Sequence, residues 1–456
     1  MKVERANSSF AWRVLSNFCA LSSLQMANML LPLVSLPYLM RVLGPEKIGV
    51  LAIAEGFTQC FVVLANWGFG LSASREVSLL RDRPQELARC YSAVVSARLT
   101  LSLLGLLVFV GVIFTVPMFR TERFVFLLSY GKVIPCILFP IWFFQGLERM
   151  HFIAVLNLLG RISSTAFIFL LIANEHDYVI VPVITMIEAI FVGVAAQSIV
   201  FAGFRLPFTL VGPRLVFGQL REAASFFVVS CSIVLYTTTN PFLLGLFVAP
   251  AQVGYFKAAY QIARASFNLL HCLCFSLYPA MCKIASESAS RAWQVLKRTL
   301  FLAMIPTAIG SLIPTVCAAQ ISRLAFGPGF DETIPLLHVL GILPFIGLFT
   351  NTFGIQGLLA FGHQNAFSRL MVFVTCIHLI IASLLCMRFG AFGMAVSVII
   401  TETLIAFGSF RLLRNTLRQT GVFSDSCCES TPRVAAHVPP RYSSHSQLCT
   451  RGASPR

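Results

Sequence analysis

Charge is what this chain has least of. Asp, Glu, Lys and Arg make up only 11% of its 456 residues against 57% hydrophobic ones, and mean hydropathy is +0.82. Soluble domains carry roughly 25% charged residues, so the composition excludes one of this length and makes a bilayer the solvent. Catalytic signatures are missing too. There is no G-x-x-x-x-G-K-[ST] phosphate loop, no G-x-G-x-x-G dinucleotide turn and no H-E-x-x-H zinc helix. The one adjacent acidic pair, Asp331 and Glu332, follows FGPGF and reads as a solvated turn. No connection is long enough for a carboxylate-bearing catalytic domain, which argues against an enzyme. Tyr (9) and Trp (4) are few beside 42 Phe, and no basic patch is interleaved with stacking aromatics, so nucleic acid is excluded as a partner despite the net charge of +16. Most of the 14 cysteines lie in or beside apolar runs, where a thiol acts as a small hydrophobe. Cys427, Cys428 and Cys449 stand in a polar tail without histidine at zinc spacing, so neither metal nor cofactor is expected. His271, His338 and His378 read as packed or water-bonded rather than as ligands.

What the chain does have is long uncharged runs. Val14 to Met40, Leu99 to Phe119, Ala223 to Phe256, Thr299 to Ser322 and Thr333 to Ser368 each reach or exceed the roughly 20 residues of a membrane-crossing helix. The first is too long for a signal peptide and reads as a retained span. Cutting at charge and at Gly and Pro clusters predicts about twelve helices, near 16–39, 48–70, 94–118, 124–147, 152–173, 178–203, 223–248, 252–280, 299–321, 333–360, 367–387 and 391–412. The predicted fold is all-α, a polytopic membrane protein with a six-helix bundle over 1–204, a cytoplasmic linker over 205–222 and a second bundle over 223–412. The tail from 413 to 456 is Ser-, Pro-, Cys- and Arg-rich and reads as disordered. With a cytoplasmic N-terminus, sixteen Lys and Arg fall in inside loops and six in outside ones, so both ends are predicted to be cytoplasmic. The basic residues then face anionic headgroups.

The stretch LPYLMRVLGPEKIGV, Leu36 to Val50, has a counterpart in PFLLGLFVAPAQVGY, Pro241 to Tyr255. Pro45 falls on Pro250, Gly49 on Gly254 and Ala54 on Ala259, a constant offset of 205 residues. Each copy reads as helix, Pro-marked turn, Gly and helix. Two halves with an even number of spans are parallel repeats about an axis along the membrane normal, and the substrate place is the interface between them.

Ionisable side chains at mid-bilayer cost about 2.5–3.5 kcal/mol, so those inside spans are functional candidates. They are Glu55, Arg98, Lys132, Arg161, Glu188, Lys257, Arg264 and Glu402. Lys257, Gln261 and Arg264 share one helix face, and Glu55, Gln59 and Asn66 form a similar stripe on the repeat-related helix. Both stripes are predicted to face a shared water-filled cleft, while Arg98 and Arg161 are predicted to snorkel or pair. A cationic cavity suits a phosphate or pyrophosphate headgroup. Outward movement of that negative charge gains about 2.3 kcal/mol per charge per 100 mV.

The segment Leu31 to Ser78, LPLVSLPYLMRVLGPEKIGVLAIAEGFTQCFVVLANWGFGLSASREVS, resembles the first hairpin of the bacterial polysaccharide-unit flippases. These are the O-antigen exporters of the multidrug/oligosaccharidyl-lipid/polysaccharide exporter superfamily. FPIWFFQGLERMHFIAVLNLLGRI, Phe139 to Ile162, and GLLAFGHQNAFSRL, Gly357 to Leu370, resemble further stretches of that family. The resemblance covers the twelve spans and not the tail. It implies two six-helix bundles opening alternately to either side of the inner membrane and carrying an undecaprenyl-pyrophosphate-linked oligosaccharide. It places Arg41, Glu46 and Gly49 in the family's hairpin motif and Arg75 in its ASREVS segment. The second copy departs from it by having uncharged residues in place of Arg41 and Glu46. Expected partners are the lipid-linked oligosaccharide, membrane lipids, a polysaccharide polymerase and a chain-length regulator.

The expected substrate-binding set is therefore Lys257, Arg264, Gln261, Arg41, Arg75, Lys132, Glu55, Gln59 and Asn66. The alternatives are a cation-coupled drug exporter of the same superfamily using Glu55, Glu188 or Glu402, an integral-membrane polymerase, and a non-transporting scaffold.

Overall fold

The computed structural model describes the backbone of residues 2–204, 206–209, 211–275 and 277–419. Side chains are described from 31 onward except 32, 33, 269–275 and 279. The tail beyond 419, with Cys427, Cys428 and Cys449, lies outside the described residues, as do the side chains of Lys2, Arg5, Arg13, Arg205 and His271. Residues 413–419, assigned above to the tail, continue the last helix.

Among the described residues the chain is helical with no strand. The first half comprises α1 (Lys2–Asn66), α2 (Phe69–Leu79), α3 (Pro84–Thr115), α4 (Arg123–Ser129), α5 (Ile134–Leu138), α6 (Ile141–Gly146), α7 (Met150–Leu171) and α8 (Ile180–Ser198). The second comprises α9 (Pro213–Thr237), α10 (Asn240–Gly245), α11 (Pro250–Phe275), α12 (Tyr278–Glu287), α13 (Ala289–Val316), α14 (Ala318–Phe326), α15 (Thr333–Leu340), α16 (Leu343–Phe349) and α17 (Gln364–Gln419). Nine helical stretches among these residues are long and apolar enough to cross a membrane. Two of them contain a turn, because α1 breaks at Gly44 (φ 74°) and α17 at Gly390 (φ 55°), both in the left-handed region open to glycine. With those breaks opened and α11 added, whose Lys257 and Arg264 depress its hydropathy, the twelve predicted spans are present among the described residues.

Three boundaries differ from expectation for physical reasons. The stretch expected as a loop at 71–93 holds α2, an amphipathic helix that buries Phe69, Ala73 and Val77. The third span begins ten residues early, at Pro84, because proline suits the first helical turn, where its missing N–H costs nothing. The linker expected at 205–222 becomes helix from Pro213 for the same reason.

The fourth span is not one helix. It runs as α4, a 3-10 turn at Tyr130–Val133, α5, a gap at Phe139–Pro140, and α6. The tenth runs as α15, α16 and a π-helix over Thr350–Leu359. These spans hold corresponding places in the two halves, and interrupted helices at corresponding places mark where a transporter fold exposes backbone and side chains to a substrate path.

Between the halves, residues 45–66 of α1 pack along α11. A Cβ built on Gly49 would lie 1.7 Å from the Pro250 carbonyl oxygen, and one on Gly254 would lie 2.0 Å from that of Pro45. Backbone touches backbone, reciprocally, at the residues paired by the 205-residue offset. This is a local two-fold relation. At the other end of the same helix, Trp67 Nε1 donates to the Leu220 carbonyl at 2.8 Å and its ring stacks on Phe227 at 4.2 Å.

Candidate functional site

The irregular fourth span matters because it carries Lys132 in its 3-10 turn, where a tightened helix re-aims the side chain. Lys132 Nζ donates to Glu55 Oε1 at 2.6 Å, and Lys257 Nζ donates to Glu55 Oε2 at 3.1 Å. One carboxylate from α1 thus holds an amine from its own half and an amine from the other half. Residues 202 apart in sequence meet because α1 and α11 cross at the two glycines just described.

The trio is partly exposed. Side-chain exposure is 37% for Glu55, 31% for Lys132 and 24% for Lys257, although all three sit well inside their spans. On α1, Leu51, Glu55, Gln59, Val62 and Asn66 are half-buried, whereas Ala54, Phe57, Thr58, Phe61 and Ala65 are buried. On α11, Lys257, Gln261, Arg264 and Asn268 are half-buried, whereas Ala258, Ala259, Tyr260, Ala263 and Ala265 are buried. Steps of four, three and four residues keep each set on one helix face. Two partly exposed polar faces, one from each half, therefore meet between the Gly49–Gly254 crossing and the Trp67 contacts. In this conformation the stripes touch through Glu55 and Lys257; the sequence had predicted a gap between them.

The remaining predicted residues fall in three places. Arg264 extends the α11 stripe, its guanidinium 5.7 Å from the Tyr260 ring centroid and 5.6 Å from that of Phe267. It also interacts electrostatically with Glu402, whose carboxylate accepts from Thr350 Oγ1 at 3.2 Å. Gln59 and Gln261 lie on the stripes, and Asn66 ends the α1 stripe with its amide donating to the Val62 carbonyl at 3.0 Å. Arg41 and Arg75 lie apart from the passage. Arg41 is a clamp between halves: its guanidinium donates to the carbonyls of Leu324 and Ala325, at the end of α14 where Gly327 (φ 86°) stops the helix. Arg75 is exposed on α2. Of the carboxylates considered for cation binding, Glu188 stands 4.0 Å from Arg161 on the neighbouring helix.

One element escaped the sequence reading. The breaks that place Lys132 are signalled by Pro135 and Pro140 in the fourth span and by Pro335, Gly341 and Pro344 in the tenth. Matched interruptions would have singled out these two spans.

Comparison with other proteins agrees with this architecture. A family described as "Polysaccharide biosynthesis protein" matches residues 14–285. The "Putative O-antigen transporter" of Escherichia coli K12 is 25% identical over 399 residues, covering 88% of this chain and 96% of that protein. A protein of the same name from Shigella dysenteriae is 23% identical over 381 residues, covering 83% and 94%. Among solved structures, an inward-facing MATE multidrug transporter of the MOP superfamily superposes with a TM-score of 0.69 at 13% identity, over 90% of this chain and 100% of that one. The lipid II flippase MurJ in an inward closed conformation gives 0.69 at 12% identity, over 86% and 87%. At such identities these two structures carry the fold alone. A multi-pass helical fold and a family match over residues 14–285, more than half its length, make this chain a member of the polysaccharide biosynthesis protein family.

Proposed function

We propose that the chain is a flippase that moves undecaprenyl-pyrophosphate-linked oligosaccharide repeat units, of O-antigen or another surface polysaccharide, from the cytoplasmic to the periplasmic face of the inner membrane by alternating access. The observation that carries this reading is the Glu55–Lys132–Lys257 trio on two half-buried stripes between the halves. Glu55 bonds both amines and offsets one of their two positive charges, which leaves the trio cationic. A pyrophosphate entering the passage offers the same amines more oxygens and more charge, so it displaces the carboxylate. Arg264 and the amides of Gln59, Gln261 and Asn66 lie along the same faces for the headgroup and first sugars. The polyprenyl chain stays in lipid, whose tails match it.

The excess of basic residues in alternate loops supports cytoplasmic termini. In that orientation the Gly49–Gly254 crossing and the Arg41 clamp close the periplasmic end, and the Trp67 contacts close the cytoplasmic end. Exchange between states requires one seal to part while the other holds. A cation-coupled exporter has less support, because Glu55 already bonds two lysines.

The test is transport by purified protein in proteoliposomes loaded with a lipid-linked oligosaccharide, read by the accessibility of its sugars to an added lectin. Wild-type protein should expose the sugars on the far face, and Lys257→Ala and Arg264→Ala should slow the exchange. Absence of exchange by wild-type protein, or full exchange by both variants, contradicts the proposal.

A further inference from the structure

Arg98 belongs to none of the charges used so far. It lies in the middle of α3 and is 4% exposed. It neither snorkels nor pairs with a carboxylate among the described residues, the two outcomes predicted from the sequence: its guanidinium turns inward. Nη1 donates at 2.8 Å to the carbonyl of Cys136. That carbonyl is unsatisfied by its own helix because the residue four places on is Pro140, which has no N–H. The Arg98 guanidinium carbon lies 5.8 Å from the Phe69 ring centroid and 5.9 Å from that of Trp142.

What Arg98 lacks is a counter-charge. Among the described residues no carboxylate pairs with it, and the ionisable groups that it interacts with are Cys136 and Tyr91, both uncharged at neutral pH. Its Nε is buried without an acceptor. Two neighbouring groups share that condition. Trp142 Nε1, which can only donate, has no partner. Ser102 Oγ, one helical turn along the same face of α3, has none either. The Tyr91 hydroxyl donates to Gln197 Oε1 at 2.7 Å and accepts from neither Arg98 Nε nor Trp142 Nε1. A buried guanidinium with unmet donors around it is unfavourable unless an acceptor, preferably a charged one, completes it.

We propose that Arg98, Trp142 Nε1 and Ser102 Oγ form a binding site for a small inorganic anion of halide size, chloride in the cell, inside the first bundle. The three groups are buried, which favours a monatomic anion over a polyatomic headgroup, and Cys136 links them to the α1 stripe, its thiol accepting from the Asn66 amide at 3.3 Å. A water molecule would satisfy the donors and leave the charge uncompensated. The bound anion neutralises Arg98 and lets it hold the broken fourth span, which carries Lys132, in place through the Cys136 carbonyl.

The test uses the full-length protein in chloride-free buffer, titrated with iodide against gluconate at constant ionic strength, with tryptophan emission as the readout. Iodide quenches indole on contact. A saturable component should appear that chloride competes away, that Trp142→Phe removes and that Arg98→Gln abolishes. Purely linear quenching, or a saturable component that survives Arg98→Gln, overturns the site. Should Arg98→Gln fail to fold, equilibrium dialysis of the wild type with radiolabelled chloride decides: one saturable chloride per chain supports the site, and none overturns it.

Discussion

Replacing Glu55 by Gln should impair transport while leaving the chain in the membrane and folded. The side chain keeps its size and one acceptor oxygen but no longer offsets the charges of Lys132 and Lys257, and the trio goes from a net charge of one to a net charge of two. The two amines bond opposite oxygens of one carboxylate, which places them about 5–6 Å apart, where their repulsion is about 3 kcal/mol at an effective dielectric of about 20. The trio is between 24% and 37% exposed; solvent screening therefore lowers the effect to about 1–2 kcal/mol. That is roughly a tenfold shift in the equilibrium between the conformation in which Glu55 bonds Lys257, the closed one of the proposal, and one in which the halves separate there. The double substitution Glu55→Gln with Lys257→Gln removes the repulsion across the halves and should recover most of the closed population. Distances between spin labels on the two halves give that population for wild type, both single variants and the double variant. Complementation of surface polysaccharide in a deletion strain gives function. A double variant whose effect is the sum of the two single effects would show that the residues do not act together, and so would refute the reasoning.

Three further outcomes follow from the seals and the clamp. Gly49→Ala places a Cβ at 1.7 Å from the Pro250 carbonyl oxygen, where ordinary contacts begin at 3.4 Å. The helices must part there, and a cysteine at Gln261 should react faster with an impermeant maleimide added from the periplasmic side. Arg41→Ala leaves the Leu324 and Ala325 carbonyls without their donor, and, because Arg41 is exposed, should weaken the same seal by about 1 kcal/mol. The Gln261 cysteine again reports it, with a smaller increase. Trp67→Phe preserves the stack on Phe227 but loses the bond to Leu220, again about 1 kcal/mol. Labelling should rise in inverted vesicles and not in intact cells.

Hydropathy made the twelve spans legible because each needs a run of uncharged residues of membrane length, and the 205-residue offset made the two matched turns legible, while the contact between Gly49 and Gly254 shows only in the packing. The stripes were readable from helical periodicity: Glu55 with Gln59 and Lys257 with Gln261 and Arg264 share the faces that periodicity assigns. Other features depend on what hydropathy does not measure. A broken apolar span scores like a whole one, so the turn that aims Lys132 at Glu55 stayed hidden behind Pro135 and Pro140. Arg98 stands near a predicted helix end in the linear count, where snorkelling or pairing is the ordinary solution; only the packing of α3 against α5 shows it turned to the Cys136 carbonyl, four residues before Pro140. Arg41 reads as a charge in a turn, and its partners at 324 and 325 lie too far along the chain for any local pattern to reveal. α2 is invisible to hydropathy because its eleven residues are too short and too polar to register as a span.

The most direct test of the passage is photo-crosslinking of the lipid-linked oligosaccharide in cells that make it. Benzoylphenylalanine is placed at Gln261, on the α11 stripe, and, for comparison, at Leu107, which is 71% exposed on the outer face of α3. The position at Gln261 should yield an adduct that carries both pyrophosphate and sugar, and Leu107 should yield phospholipid adducts only. Oligosaccharide captured equally at both positions, or at Leu107 alone, would contradict a route between the two halves.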